Sequence, residues 1–474
     1  MRRLGRETAI YGLGRLVNVG VGFLMVPFYT RIFMPWEYGV IEAINVLAML
    51  VGTLIGMGTH SALAYYLSPE DRDGARRVAT VVLQWRLAWG SVVALAAMMA
   101  GPWLTMALFD IPLAWEVGVA AFAGVLAGQL VTFSSLLFQL LRRPWAYITV
   151  GVTAAVTGAG LNLIFVALLG WGVAGYFAGL LLGQVVALVA VTPRLGSVLE
   201  PGRWHANLWP RLLRFGVPLV PAMLASYLLN FADRWFIMHF LAADSLGLYG
   251  LAFKGALLVQ IVVTVVGTAF LPHALHLIKS PDEAAAEREL ATLMRYYGGV
   301  FLSWALVVAA AAPLAVRILA PPAYAEAAGV VGALTLPPVL YGMTQFSSLG
   351  MWRAERTALY SISVGIAVVV NLALNALLIP LWGIVGAAIA TAAAMTTLVT
   401  ASFIFSQRMW PLRLGFATAV AQLAVAAVAL VVLHRVRAAE MGAGADVAVV
   451  TVAIAVLAGL TVRRGDRAGG HRAR

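Results

Sequence analysis

Fourteen mostly apolar runs of 20–29 residues follow one another along this 474-residue chain, separated by polar connections. A helix needs about 20 such residues to cross a bilayer, because each adds about 1.5 Å and the hydrocarbon core is about 30 Å thick. The runs lie at 9–33, 39–67, 78–100, 113–141, 146–168, 171–192, 212–240, 246–272, 293–319, 325–352, 357–379, 382–406, 412–436 and 444–463. Residues are 62% hydrophobic and 11% charged, where a soluble domain carries about 25% charged. The chain therefore lacks the polar surface to cover itself in water. In lipid, each backbone group must find its partner within the chain, so the runs are predicted to be α-helices. The expected fold is an all-α integral membrane protein with about 14 transmembrane helices.

The net charge of +12 does not cluster on one face; the arginines punctuate the apolar runs. That pattern suits anionic membrane lipids and gives no basic face for nucleic acid. With the N-terminus cytoplasmic, 24 of the 32 Lys and Arg residues fall on the cytoplasmic side, and Arg31, Arg317, Arg435 and Arg437 fall outside. The positive-inside rule then places both termini in the cytoplasm. The first run follows Arg2, Arg3 and Arg6 but is too long for a signal peptide, so it reads as a retained helix. The absence of cysteine excludes disulfides and thiolate metal sites. Outer connections are short, which disfavours a membrane polymerase or ligase. The longest inner connection contains Ser280-Pro281-Asp282-Glu283, which predicts a helix capped by Ser280, with Pro281 first and Glu283 closing a capping box.

A shift of 211 residues superposes three local patterns. Tyr38-Gly39 falls on Tyr249-Gly250, Arg142 on Arg353, and Trp171-Gly172 through Gly175 on Trp382-Gly383 through Gly386. Six helices per repeat keep both halves in one orientation, which predicts a parallel repeat with the substrate route between its copies. The expected lobes are 1–210 (helices 1–6) and 211–411 (helices 7–12), followed by 412–474, two helices and a basic tail.

Charge at bilayer depth costs about 2.5–3.5 kcal/mol on insertion scales, so it persists where it is paired or hydrated. Asp233 and Arg234 lie inside the seventh run, Lys254 and Glu42 early in the eighth and second, and Arg15 and Arg86 in the first and third. Neighbouring helical residues point about 100° apart, so Asp233 and Arg234 are expected to find partners elsewhere. Arg15, Arg86, Lys254 and Glu42 also lie close enough to helix ends to snorkel to the headgroups. Asn18, Asn45 and Asn230 are candidate polar lining, or interhelical glue. Neither lysine carries the glycine pattern of a phosphate loop, and His273-x-x-His276 has no third metal ligand. No cofactor, metal or catalytic motif is apparent, and the chain does not read as an enzyme.

The stretches "YGLGRLVNVGVGFLMVPFYTRIFMPWEYGVIEAINVL" (11–47) and "NFADRWFIMHFLAADSLGLYGLAFK" (230–254) resemble the polysaccharide transporter family, the Wzx-type flippases. That family belongs to the multidrug/oligosaccharidyl-lipid/polysaccharide exporter superfamily. The resemblance implies a flippase that carries undecaprenyl-diphosphate-linked oligosaccharide across the bacterial cytoplasmic membrane by alternating access, driven by H+ or Na+. It implies a cationic cavity of Arg15, Arg86, Arg234 and Lys254, with Asp233 and Glu42 pairing charge or coupling ions. Membrane lipids and a polysaccharide polymerase or glycosyltransferase would be its partners. A lipid II flippase, a multidrug cation antiporter and a membrane glycosyltransferase or polymerase are the alternatives.

Overall fold

A computed structural model describes residues 2–200, 206–278, 280–356, 358–439 and 441–462. Every regular element among them is helical. Thirteen are long and apolar enough to cross a membrane: α1 (Tyr11–Ile32), α2 (Pro35–Gly56), α3 (Arg72–Phe109), α4 (Trp115–Leu140), α5 (Pro144–Leu168), α6 (Gly172–Gly196), α7 (Trp209–Phe240), α8 (Ala243–Leu277), α9 (Glu283–Leu319), α10 (Ala327–Arg353), α11 (Ala358–Met409), α12 (Phe416–Ala438) and α13 (Ala443–Val462).

The 52 residues of α11 would run about 78 Å if straight, more than twice the hydrocarbon thickness. They do not run straight. Gly383 has φ 59° and ψ −143°, a conformation open to glycine alone, three residues after Pro380. Beyond it the chain doubles back, so that a Cβ placed on Gly386 would strike the Leu378 carbonyl. α11 is therefore two passes, and the total is the expected fourteen. In the first half, Gly172 (φ 53°) turns α5 into α6, and a Cβ on Gly175 would lie 3.1 Å from the Phe165 backbone. The 211-residue repeat thus extends to the two glycines that shape each hairpin.

Other elements depart from the expected spans. The second run breaks at Met57 (φ 43°) and Gly58 (φ 71°), and Thr59–Tyr66 forms a separate short helix. α10 is three segments, Ala327–Leu334, Leu336–Ser347 and Leu349–Arg353. Pro337 and Pro338 have no N–H to donate at the first break. At the second, Ser406 Oγ accepts from Gly350 N at 2.7 Å. The α9 cap is corrected too. Asp282, not Ser280, occupies the N-cap and accepts from Ala285 N at 2.9 Å. A carboxylate caps the helix as well as a hydroxyl and also suits the helix dipole. Glu283 turns away to Arg353, 2.5 Å distant, instead of closing a box.

The chain forms two compact units, Met1–Tyr227 and Leu228–Arg474. In the first, α5 and α6 pack so closely that a Cβ on Gly183 would lie 2.5 Å from Gly158 Cα. Small residues admit such contact in lipid, where apolar burial gives helices no reason to associate. An apolar cluster of Leu63, Val82, Phe133, Leu137 and Phe138 fills one end of this unit, and Phe33, Ile41, Ile44 and Phe177 belong to a second cluster. In the second unit, α12 and α13 pack on α9 and on each other, while α8, α10 and α11 complete the bundle.

Candidate functional site

The last third of α7 and the first turns of α8 enclose the charged pair. Asp233 and Arg234 side chains are 4% and 2% exposed, and they meet each other. Arg234 Nη1 donates to Asp233 Oδ1 at 2.8 Å, and Arg234 N donates to the same oxygen at 2.9 Å. The expectation of separate partners is corrected. The 100° rule describes where Cβ atoms point, but a long arginine folds back along its own helix. In an apolar interior an uncompensated charge is expensive enough to enforce that rotamer.

Further groups complete the pair. Tyr249 on α8 donates its hydroxyl to Asp233 Oδ2. Arg234 Nη1 also donates to the Asn230 carbonyl at 3.1 Å. The guanidinium lies 4.5 Å from the Phe253 ring centroid, 4.8 Å from Phe231 and 5.6 Å from Tyr249. Desolvated cation–π contacts of this kind contribute about 2 kcal/mol. Phe253 follows Tyr249 by one helical turn, so a single face of α8 supplies both rings.

Beside the pair lies a cavity of about 270 Å³ within the second unit. Its polar lining comes from Asn230, Asp233, Tyr249, Gln260, Tyr341 and Thr391. The wall thus shows a carboxylate and neutral oxygen and nitrogen groups, while the Arg234 guanidinium stays behind the rings. Such a surface suits a small cation or a proton more than a phosphate.

The structure brings together Asn230, Asp233 and Arg234. Lys254, one residue past Phe253, is half-buried and lies off the cavity wall. Glu42, Asn45, Asn18 and Arg86 belong to the first unit. Glu42 is buried on α2, and Asn45 is half-buried one turn on. Asn18 faces α5, where a Cβ on Gly151 would lie 2.7 Å from its Nδ2. Arg86 is 1% exposed and does not snorkel. Its Nη1 donates to the Gln129 carbonyl at 2.5 Å and to Gln129 Oε1 at 3.3 Å, bridging α3 and α4. The Arg15 side chain lies outside the described residues. His273, a candidate ligand by spacing, contacts Glu289 Oε1 at 2.7 Å.

Sequence reasoning missed the aromatic cage and Gln129. Tyr249 stood out only as a mark of the repeat, yet its spacing to Phe253 was a readable signal. Asn371 and Asn375, one turn apart in α11 and joined at 3.0 Å, are a buried polar pair that the span count passed over.

Comparison with known proteins bears on this arrangement. The polysaccharide biosynthesis protein family matches residues 4–277, more than half of the chain. The chain belongs to that family. The chain is also 22% identical over 282 residues to the Lsg locus putative protein 1 of Haemophilus influenzae. That match spans 58% of the chain and 66% of the relative, just under two thirds of its length. Among solved structures, a lipid II flippase MurJ in an inward closed conformation superposes with a TM-score of 0.70 at 13% identity, covering 97% of this chain and 99% of that one. An inward-facing multidrug resistance MATE family transporter of the MOP superfamily gives 0.62 at 16% identity, over 84% and 93%. The family member thus has the fold of these transporters.

Proposed function

We propose that this family member is a flippase that carries undecaprenyl-diphosphate-linked oligosaccharide from the inner to the outer leaflet of the bacterial cytoplasmic membrane. The observation that carries the proposal is a polysaccharide-biosynthesis family match on a multi-pass chain with a transporter fold. Two lobes, 1–210 and 211–411, would alternate access, with 412–474 accompanying them and both termini in the cytoplasm. The product would pass to a polymerase or glycosyltransferase outside. A lipid II carrier has a similar fold, and membership in a polysaccharide biosynthesis family favours the oligosaccharide.

The charged pair gives the proposal its chemistry. Arginine fits phosphate oxygens with a planar fork and keeps its charge at any working pH. In the conformation described, that fork is engaged by Asp233 and the Asn230 carbonyl. A diphosphate would compete with Asp233 for it, with Lys254 as the second cation. Asp233, facing the cavity, would exchange its arginine for H+ or Na+ and so couple the ion gradient to the load. Arg86 acts at one remove, as a brace between α3 and α4.

The test compares Arg234→Ala with Arg234→Lys, scoring surface polysaccharide at matched protein levels in a strain lacking the native gene. Loss with alanine and partial recovery with lysine is expected. Full polymer from the alanine variant takes Arg234 off the substrate path.

A further inference from the structure

Pro313 sits inside α9 and has no N–H, so the carbonyl four residues earlier, that of Ala309, loses its helical donor. The proline ring also crowds that turn. An unsatisfied carbonyl is costly anywhere buried and more so at membrane depth. The structure supplies a replacement from another helix. Arg437, in the last turn of α12, donates from Nη2 to Ala309 O at 3.0 Å and to Ala310 O at 3.2 Å. Its Nε donates to Asp446 Oδ2 at 2.7 Å, in the first turn of α13. Both charges also suit their helix dipoles, the cation at a C-terminus and the carboxylate at an N-terminus. One guanidinium therefore ties three helices at the place where α9 has lost its own hydrogen bond.

A second tie lies at the far end of the same helices. Gln422 on α12 donates from Nε2 to the Arg295 carbonyl of α9 at 3.1 Å and to Thr461 Oγ of α13 at 3.0 Å. Gly298 and Gly299 make room for both side chains: a Cβ on the first would strike Gln422 Oε1, and one on the second would strike Thr461 Oγ. Residues 422 and 437 are about 22 Å apart along α12, so the ties sit near opposite ends of the span. Helices in lipid gain little from apolar burial, so such polar and small-residue contacts decide how they dock.

We infer that the α12–α13 hairpin is a fixed brace of α9 and not a mobile gate, and that Arg437 is the donor which replaces the hydrogen bond Pro313 removes. The inference stands apart from the proposed substrate, because it concerns how the second unit holds together.

Melting of the full-length protein in detergent tests the role of Arg437. Replacing the ion pair as a unit, Arg437→Met with Asp446→Leu, strands no charge but orphans the Ala309 carbonyl. A drop in midpoint of about 3 °C is expected. When Pro313→Ala restores the missing N–H, the same replacement should lower the midpoint by less than half as much. Equal drops in both backgrounds overturn the assignment. Should these variants fail to fold, a disulfide tests the brace directly, since the natural chain has no cysteine. A Cβ on Gly299 lies 3.3 Å from Thr461 Cβ, close to the roughly 3.5–4.5 Å that a disulfide spans. Gly299→Cys with Thr461→Cys should cross-link to completion in native membranes, with the elution profile of a folded protein. A pair that stays reduced under oxidant overturns the fixed docking.

Discussion

Tyr249 on α8 closes the outer oxygen of Asp233 on α7, donating its hydroxyl to Oδ2 while Arg234 occupies Oδ1. The carboxylate is thereby held from two helices, next to a cavity that it lines. Removing the hydroxyl with Tyr249→Phe keeps the ring over Arg234 but leaves Oδ2 without that donor. A loss of about 1–3 kcal/mol is expected, the usual cost of an orphaned buried acceptor. Chemical denaturation in detergent measures it, and an unchanged midpoint would show that the bond contributes nothing.

The pair itself should behave as a unit. Asp233→Leu alone strands a guanidinium in an apolar site, and Arg234→Met alone strands a carboxylate. Each should destabilise by about 3–5 kcal/mol, while the two together should cost less than either. A double variant whose loss equals the sum of the singles would show that the two charges do not depend on each other.

Arg86 is expected to matter for folding and not for the load. Its Nη1 donates to the Gln129 carbonyl and Oε1 in the interior of the first unit. Arg86→Met should reduce the yield of folded protein several-fold, yet leave polysaccharide export per molecule near the natural level. Immunoblots paired with surface polymer measure both. Normal yield with lost export would instead assign Arg86 to the substrate route.

The hairpin inside α11 gives a sharper structural test. Gly386 packs against the Leu378 carbonyl with no room for a Cβ. Gly386→Val should abolish monodisperse protein in detergent, whereas Gly365→Val, on a face with open space around it, should not. Equal behaviour of the two would mean that the turn is not tightly closed.

Much of this architecture was readable because a bilayer leaves a chain few options. Apolar length fixes the number of passes, and Gly172 and Gly383, both at positive φ, mark the same turn in both repeats. The breaks in α10 were less visible, although Pro337-Pro338 lay in plain view, because proline is tolerated in membrane helices when neighbours satisfy the freed carbonyls. At the site, Asp233 and Arg234 announced themselves by their cost at depth. Their mutual pairing did not, since side-chain reach overrides Cβ direction for a residue as long as arginine. Nor does the repeat help there: the positions equivalent to Asp233 and Arg234 in the first half are Gly22 and Phe23, so the first half has no counterpart of the pair. Arg437 was read as a loop cation, because only the folded chain brings it to the carbonyl that Pro313 frees.

The most direct measurement reconstitutes the purified protein in liposomes with a lipid-linked oligosaccharide and follows its arrival in the opposite leaflet under an imposed H+ or Na+ gradient. The natural protein should accelerate translocation in one gradient direction, and Asp233→Asn should remove the gradient dependence. Translocation no faster than in protein-free liposomes under either gradient would contradict the assignment as an ion-coupled flippase.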